Sequence, residues 1–443
     1  MLLALAAAIA ALTVLAEPRP LAVVDVNPPA GAKEVPTRAQ VTVTFSRPLD
    51  EMAGGGLTVT PAVDGFVSVA GRRAAFTPRF GLSADTGYTV TLGSGIRDRA
   101  GRALARPVAF SFRTRALALL ARTEDGLVRW RLGGRPEPVV TGRIGEFAVS
   151  AEGAIAYVRL DDRDIVVQAP KGGQAGRVLL PNALAVRDLE WAPGGHALMF
   201  LGASGDGPGV PYLVRLDAPS PAVESFGPRG GRIDPASPLL MEALKKSLVE
   251  VVYRRESFAF APDGRAAIVR DQNWDLAIVG FDGVRRASLG AYLAVGNAAP
   301  GGEALAVVDV NPADPALRRQ VLAHRADGST RALSPAERDS HSPRFAHRSD
   351  RVIFATAVAV GAPRERRFAL EMVEVATGVR RRLTQPPAGE SDEAPRWSPD
   401  DAWVSFRRAP FGAPERGTAW IVRADGGPAL PLEPRATDAR WVP

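Results

Sequence analysis

The chain has 443 residues, 46% of them hydrophobic and 23% charged, which suits two to four globular domains of about 150 residues each. It has no cysteine, so disulfides, a lipoprotein anchor, zinc fingers and iron–sulfur clusters are excluded. The formal charge of +7 comes from 55 basic and 48 acidic residues, but only Lys33, Lys171, Lys245 and Lys246 are lysines, and the arginines are scattered. No long basic tract is interleaved with aromatics, so no nucleic-acid partner is expected.

Residues 1–16, MLLALAAAIAALTVLA, form an uncharged apolar run, shorter than the roughly 20 residues a spanning helix needs. The run ends in Val14-Leu15-Ala16, a small-x-small pattern suited to signal peptidase, and turns polar at Glu17. It reads as a signal peptide, with a short N-terminal anchor as the alternative. The expected location is therefore periplasmic or extracellular, with no stable membrane span unless this segment stays uncleaved.

Residues 21–115 alternate apolar and polar side chains in short runs such as VTVTF and YTVTL, separated by turn signals. That pattern predicts an antiparallel β-sandwich. Pro29-Ala30-Gly31-Ala32, Val43-Thr44-Phe45-Ser46-Arg47-Pro48-Leu49, Tyr88-Thr89-Val90, Ile96-Arg97-Asp98 with Ala100-Gly101, and Phe110-Ser111-Phe112 carry a further signal. With these the segment resembles the bacterial SbsA-type Ig-like domain (Big_5). The resemblance implies a spacer or adhesive module on an exported protein.

The octapeptide LAVVDVNP occurs at Leu21–Pro28 and again at Leu305–Pro312, but the residues that follow do not align. It reads as two strands drawn from one small alphabet, so it marks no domain boundary. A different repeat organises residues 116–443. EWAPGGHALMF, AFAPDGRAAIV and RWSPDDAWVSF each place an aromatic before a small residue, a proline, a turn and an apolar strand. With weaker copies, the aromatic position recurs at Val149, Trp191, Phe260, Ala298, Phe345, Trp397 and Trp441. The spacing is about 40–45 residues, that of four-stranded propeller blades. One long interval holds SPLLMEALKKSLVEVVYRRE, whose apolar spacing predicts a helix over 238–253 within an insertion at 228–255. Three strands after residue 116 lack an inner partner, and TDARWVP at the other end supplies one. Pairing them closes a ring of seven blades.

Trp397-Ser398-Pro399-Asp400, Phe260-Ala261-Pro262-Asp263-Gly264 and Trp191-Ala192-Pro193-Gly194-Gly195 make this part resemble the PD40/TolB-type WD40-like propeller family. TolB itself has six blades behind an α/β domain, so the reading here departs from it. The expected fold class is all-β: an N-terminal Ig-like sandwich, then a seven-bladed propeller over 116–443 closed by its C-terminal strand, with one inserted helix.

The chemistry is sparse. There is no G-x-S-x-G elbow, and His196, His324, His341 and His347 form no metal signature, so no catalytic residue, metal or cofactor is expected. The acidic runs LDDRD (160–164) and SDE (391–393) read as solvated loops. Residues just before the inner strands should gather at one mouth of the propeller channel. They are Glu146, Asp188, Ser257, His341, Asp392, Glu393 and Asp438, with Arg187 nearby; Arg344, Arg396 and Arg440 are placed to pair with the acids. The expected function is a monomeric, non-enzymatic envelope protein that binds a protein, peptide or glycan at this mouth. A channel-site hydrolase or lyase, or a purely structural or adhesive protein, are the alternatives.

Overall fold

The computed structural model describes residues 20–442 apart from 38, 51–52, 170–175, 181–183, 205–208, 228–257, 262, 271–274, 311–317, 359–366 and 434. The helix expected over 238–253, the segment at 1–16 and Ser257 lie outside the described residues. The chain divides into two compact units, the first ending at Ala116 and the second running from Leu117.

In the first unit, alternation decides the architecture. Val41–Phe45 buries every second side chain, and Gly87–Leu92 does the same from Tyr88 onward. One sheet orders Val23–Asn27, Val41–Phe45, Arg73–Pro78 and Gly65–Ala70; the other orders Leu57–Thr60, Gly87–Leu92 and Val108–Arg113. Their inner faces share one core that includes Val43, Phe45, Phe76, Val90, Leu92 and Phe110. This is the Ig-like sandwich. The Ile96–Gly101 motif has a local cause: the buried Asp98 carboxylate accepts the backbone N–H groups of Ala100 and Arg102, both at 2.9 Å. Such a side chain replaces the ladder hydrogen bonds that a turn lacks.

The second unit is a β-propeller. Among the described residues it holds seven four-stranded antiparallel sheets. Six run inner to outer in chain order, from the inner strands Ile144–Val149, Leu184–Trp191, Phe258–Phe260, Ala294–Ala298, Ser340–Phe345 and Glu390–Trp397. The seventh pairs Asp438–Val442 with Ala118–Thr123, which continues outward to Gly126–Arg131 and Glu137–Thr141. The C-terminal strand thus supplies the inner edge of the first sheet and closes the ring. The second strand of each blade is covered on both faces, so Ile155–Arg159 and Ala266–Arg270 are almost wholly buried. The apolar clusters sit between consecutive sheets: Leu120 and Leu127 join Phe147 and Ile155, and Val158 and Ile165 join Phe200 and Val214.

The proline–turn motif forms the same tight turn in three of the blades among the described residues. Gly195, Gly264 and Asp401 occupy one position, each in the left-handed region, and their N–H groups bond Ala192, Ala261 and Ser398 carbonyls at 2.9–3.0 Å. Asp401 tolerates that backbone because its buried carboxylate accepts the His347 and Arg348 N–H groups of the preceding blade. The acidic runs are not simply solvated loops. Asp164 is fully buried between Arg159 and Arg177, and Asp392 is fully buried against Arg408. Each is a strand residue whose cross-strand neighbour or near neighbour is an arginine.

Candidate functional site

Among the described residues, five inner strands carry a register shift near their middle, between Ile144 and Phe147, Arg187 and Glu190, Val295 and Ala298, His341 and Arg344, and Glu393 and Arg396. Asp188, Ser342 and Ala394 sit in these bulges with φ of 50–55°. A bulge adds one residue and re-aims the side chains beyond it. The consequence is a change of facing along each strand, and it decides which of the expected residues reach the lumen.

Glu146, Asp188 and Asp438 join one charge network with Glu190, Arg122, Arg396 and Arg440. Asp392 does not. It lies before its bulge, directly opposite Arg408, and the two form a bidentate pair of 2.6 and 2.8 Å inside the blade. Glu393 is half-buried and stands opposite Arg407 in the ladder. His341 packs its ring on Phe368 at 4.6 Å, with Nδ1 2.8 Å from the Ser342 hydroxyl. The lumen therefore gathers three of the expected residues, while Asp392 belongs to the wall.

Arg344, Arg396 and Arg440, each one residue before the aromatic, complete the network. The backbones of Arg344 and Arg396 are fixed from outside. Trp397 Nε1 donates to the Arg344 carbonyl at 3.0 Å, and Trp441 Nε1 to that of Arg396 at 3.1 Å. Each tryptophan so ties its blade to the preceding one. Trp191 holds the same position, but its buried Nε1 has no partner among the described residues.

The ion pairing is uneven. Arg440 is well engaged: it meets Asp438 at 2.6 Å, Glu146 at 3.9 Å and the face of Phe147 at 5.3 Å. Glu190 instead reaches Arg396 at 3.6 Å and Arg344 at 3.9 Å. Its sheet lies three places round the ring from both of theirs, so these contacts cross the lumen. Glu190 occupies the same strand position as the three arginines, one before Trp191. That parallel was a readable signal, yet Glu190 was not among the residues expected at the site. Arg122, also missed, donates to the Gly145 carbonyl at 2.7 Å and to Thr437 Oγ1 at 3.0 Å.

The electrostatics follow from enclosure. Asp188 makes no hydrogen bond or close ion pair among the described residues. Burial, with the carboxylates of Glu146 and Glu190, pushes it up to about 7 despite Arg396 and Arg440. Burial, then Asp438, raises Glu146. Burial alone would raise Asp438, but Arg440, Arg396 and Arg122 hold it below the usual carboxylate range. Burial and the neighbouring Arg440 bring Arg396 down to about 10. These side chains line a lumen, so they keep some contact with solvent while protein surrounds them.

Among the described residues no group of three or more His, Asp or Glu is placed to hold a metal ion. A second concavity of about 540 Å³ lies at the turns of two consecutive blades, lined by His196, Arg215, Asp217, Asp263, Arg265 and Phe281 among others.

Residues 17–114 match the bacterial Ig-like domain family. No curated protein sequence matches the chain. Among solved structures, the β-propeller domain of the Trilobed protease from Pyrococcus furiosus is 11% identical, with 93% of this chain and 98% of that one covered and a TM-score of 0.46. The acylaminoacyl peptidase of Pyrococcus horikoshii is 13% identical, with 79% and 51% covered and a TM-score of 0.45. TolB from Acinetobacter baumannii is 14% identical, with 82% and 80% covered and a TM-score of 0.41. Among the described residues no helix is long and apolar enough to cross a membrane.

Proposed function

We propose that the chain is an exported, non-enzymatic protein of the cell envelope whose propeller binds a protein, peptide or glycan at its channel. The Ig-like unit serves as a spacer or adhesive module, and the leader-like run at residues 1–16 supports export. The observation that carries the binding reading is Asp188. A carboxylate without a direct partner, on a left-handed backbone, inside a ring of charges, is costly to the fold alone. A ligand group that bonds it recovers that cost. The closed ring holds the lining in place before the ligand arrives, which favours tight recognition.

The test is capture from envelope extract with residues 17–443, beside a variant carrying Asp188→Asn and Glu146→Gln. A partner held by the parent and lost by the variant supports the reading. Equal capture by both places binding away from the lumen.

One observation favours a second reading. A carboxylic acid that titrates near neutrality is suited to general acid–base work, so a hydrolase or lyase acting in the channel is the alternative. Turnover of an envelope polymer that disappears in Asp188→Asn would replace the binding reading with this one.

A further inference from the structure

Arg344 and Arg396 stand out among the lumen arginines by what they do not bond. Neither guanidinium makes a hydrogen bond among the described residues, although each carries five N–H donors. Their contact is a single oxygen, Oε1 of Glu190, at 3.9 and 3.6 Å, beyond hydrogen-bond reach. Their main-chain carbonyls are held from behind by the next blade's tryptophan, which fixes where each side chain leaves the strand. Arg440 shows the contrast, since a carboxylate meets it at 2.6 Å. Two guanidinium forks beside one carboxylate oxygen repel each other; burial, then Arg440, depress Arg396, and Arg344 adds a smaller part. A carboxylate that approached both in bidentate fashion would satisfy the donors and relieve the repulsion.

From this we infer that Arg344 and Arg396 form a carboxylate-binding subsite in the propeller lumen, with Glu190 as the loosely held internal occupant that a ligand carboxylate displaces. The inference rests on the lumen being the binding site and names the chemistry it takes. The displaced Glu190 stays near Asp188, which also faces Glu146, while Arg122 and Arg440 stay with Asp438 and Glu146. An added negative charge is therefore accepted most easily when Asp188 carries its proton. Because Asp188 titrates near 7, affinity rises as pH falls through neutrality and drops by up to about tenfold per pH unit above it. A cationic ligand would show the opposite slope.

The probes are N-acetyl-glutamate amide, its glutamine counterpart, and galacturonate, titrated calorimetrically into residues 17–443 at pH 6, 7 and 8. The expected result is binding of a carboxylate probe, none of the glutamine compound, and tightening toward pH 6. Preference between the glutamate compound and galacturonate separates a peptide source from an acidic-sugar source. Glu190→Gln leaves both arginines and removes the competitor, so it tightens binding by roughly three- to fivefold, the scale of a loose, partly solvated ion pair. Arg344→Gln with Arg396→Gln abolishes it. Equal binding of the glutamine compound, no carboxylate binding at millimolar concentration, or weaker binding in Glu190→Gln overturns the inference. If a partner is still captured from extract in an Asp188-dependent way, the channel reading survives and the carboxylate subsite alone falls.

Discussion

In the Ig-like unit Asp98 is the one charged side chain buried among the described residues, whereas the propeller buries Asp164, Asp339, Glu371, Asp392, Asp401 and Arg408. The sandwich presses two sheets over one apolar core, so its polar needs arise only at turns, and Asp98 meets one of them with backbone bonds. A ring of twisted sheets cannot be filled that way. Neighbouring blades diverge from the axis, and arginine spans the gaps to carbonyls on the adjacent blade, preceding or following. Arg380 reaches Leu333, Arg331 reaches Ala376, and Arg381 reaches Asp425. A planar fork on a long stem suits this bridging better than an ammonium does, which gives the strong bias to arginine over lysine a structural use.

The sharpest way to break this contrast is Asp392→Asn. It leaves the buried Arg408 only the more distant Glu390 carboxylate at 3.9 Å and should cost about 3 kcal/mol, read by chemical denaturation. A loss below about 1 kcal/mol would show that buried pairs do not hold the propeller together. Next is Asp188→Asn. The folded protein keeps this proton up to about pH 7, while an unfolded aspartate releases it near 3.8. Stability is therefore lost as pH rises from about 4 to 7 in the parent, and the variant should lack that slope. At pH 8 it should be more stable by on the order of 2 kcal/mol, less than a fully enclosed group would give because water reaches the lumen. In the Ig-like unit, Asp98→Ala removes two backbone bonds and should cost about 2 kcal/mol. Faster hydrogen exchange at the Ala100 and Arg102 amides would show it; unchanged protection would mean the turn holds itself. The smallest effect sharpens the comparison within the propeller. Trp397→Phe loses the bond to the Arg344 carbonyl and should cost about 1 kcal/mol. Trp191→Phe removes an indole N–H without a partner and should be neutral within about 0.5 kcal/mol, or stabilising.

The aromatic repeat made the ring readable. Val149, Trp191, Phe260, Ala298, Phe345 and Trp397 each end an inner strand. The site was less readable, because facing depends on bulges. Asp188 stands three residues before Trp191, as Glu146 and Asp438 do before Val149 and Trp441, whereas Asp392 stands five before Trp397, a difference in spacing that the expectation passed over. Asp188 lies in its bulge and faces the lumen network, while Asp392 lies ahead of one and faces its cross-strand arginine. No residue type announces that extra residue: aspartate, serine and alanine occupy the left-handed position in three blades. The partnering of arginines with carbonyls was equally hidden, since a carbonyl acceptor leaves no trace in side-chain identity.

The closing pair of strands has a consequence for biogenesis. Thr437 and Arg122, 315 residues apart, bond each other across the seam. Loop closure of that length is slow, and synthesis runs at about 5–20 residues per second. For tens of seconds the nascent propeller is an open arc whose strand Ala118–Thr123 shows a bare edge, until Asp438–Val442 emerges to cover it. A chaperone that shields strand edges would act in that interval, and a chain shortened by even this one strand would leave the edge bare for good.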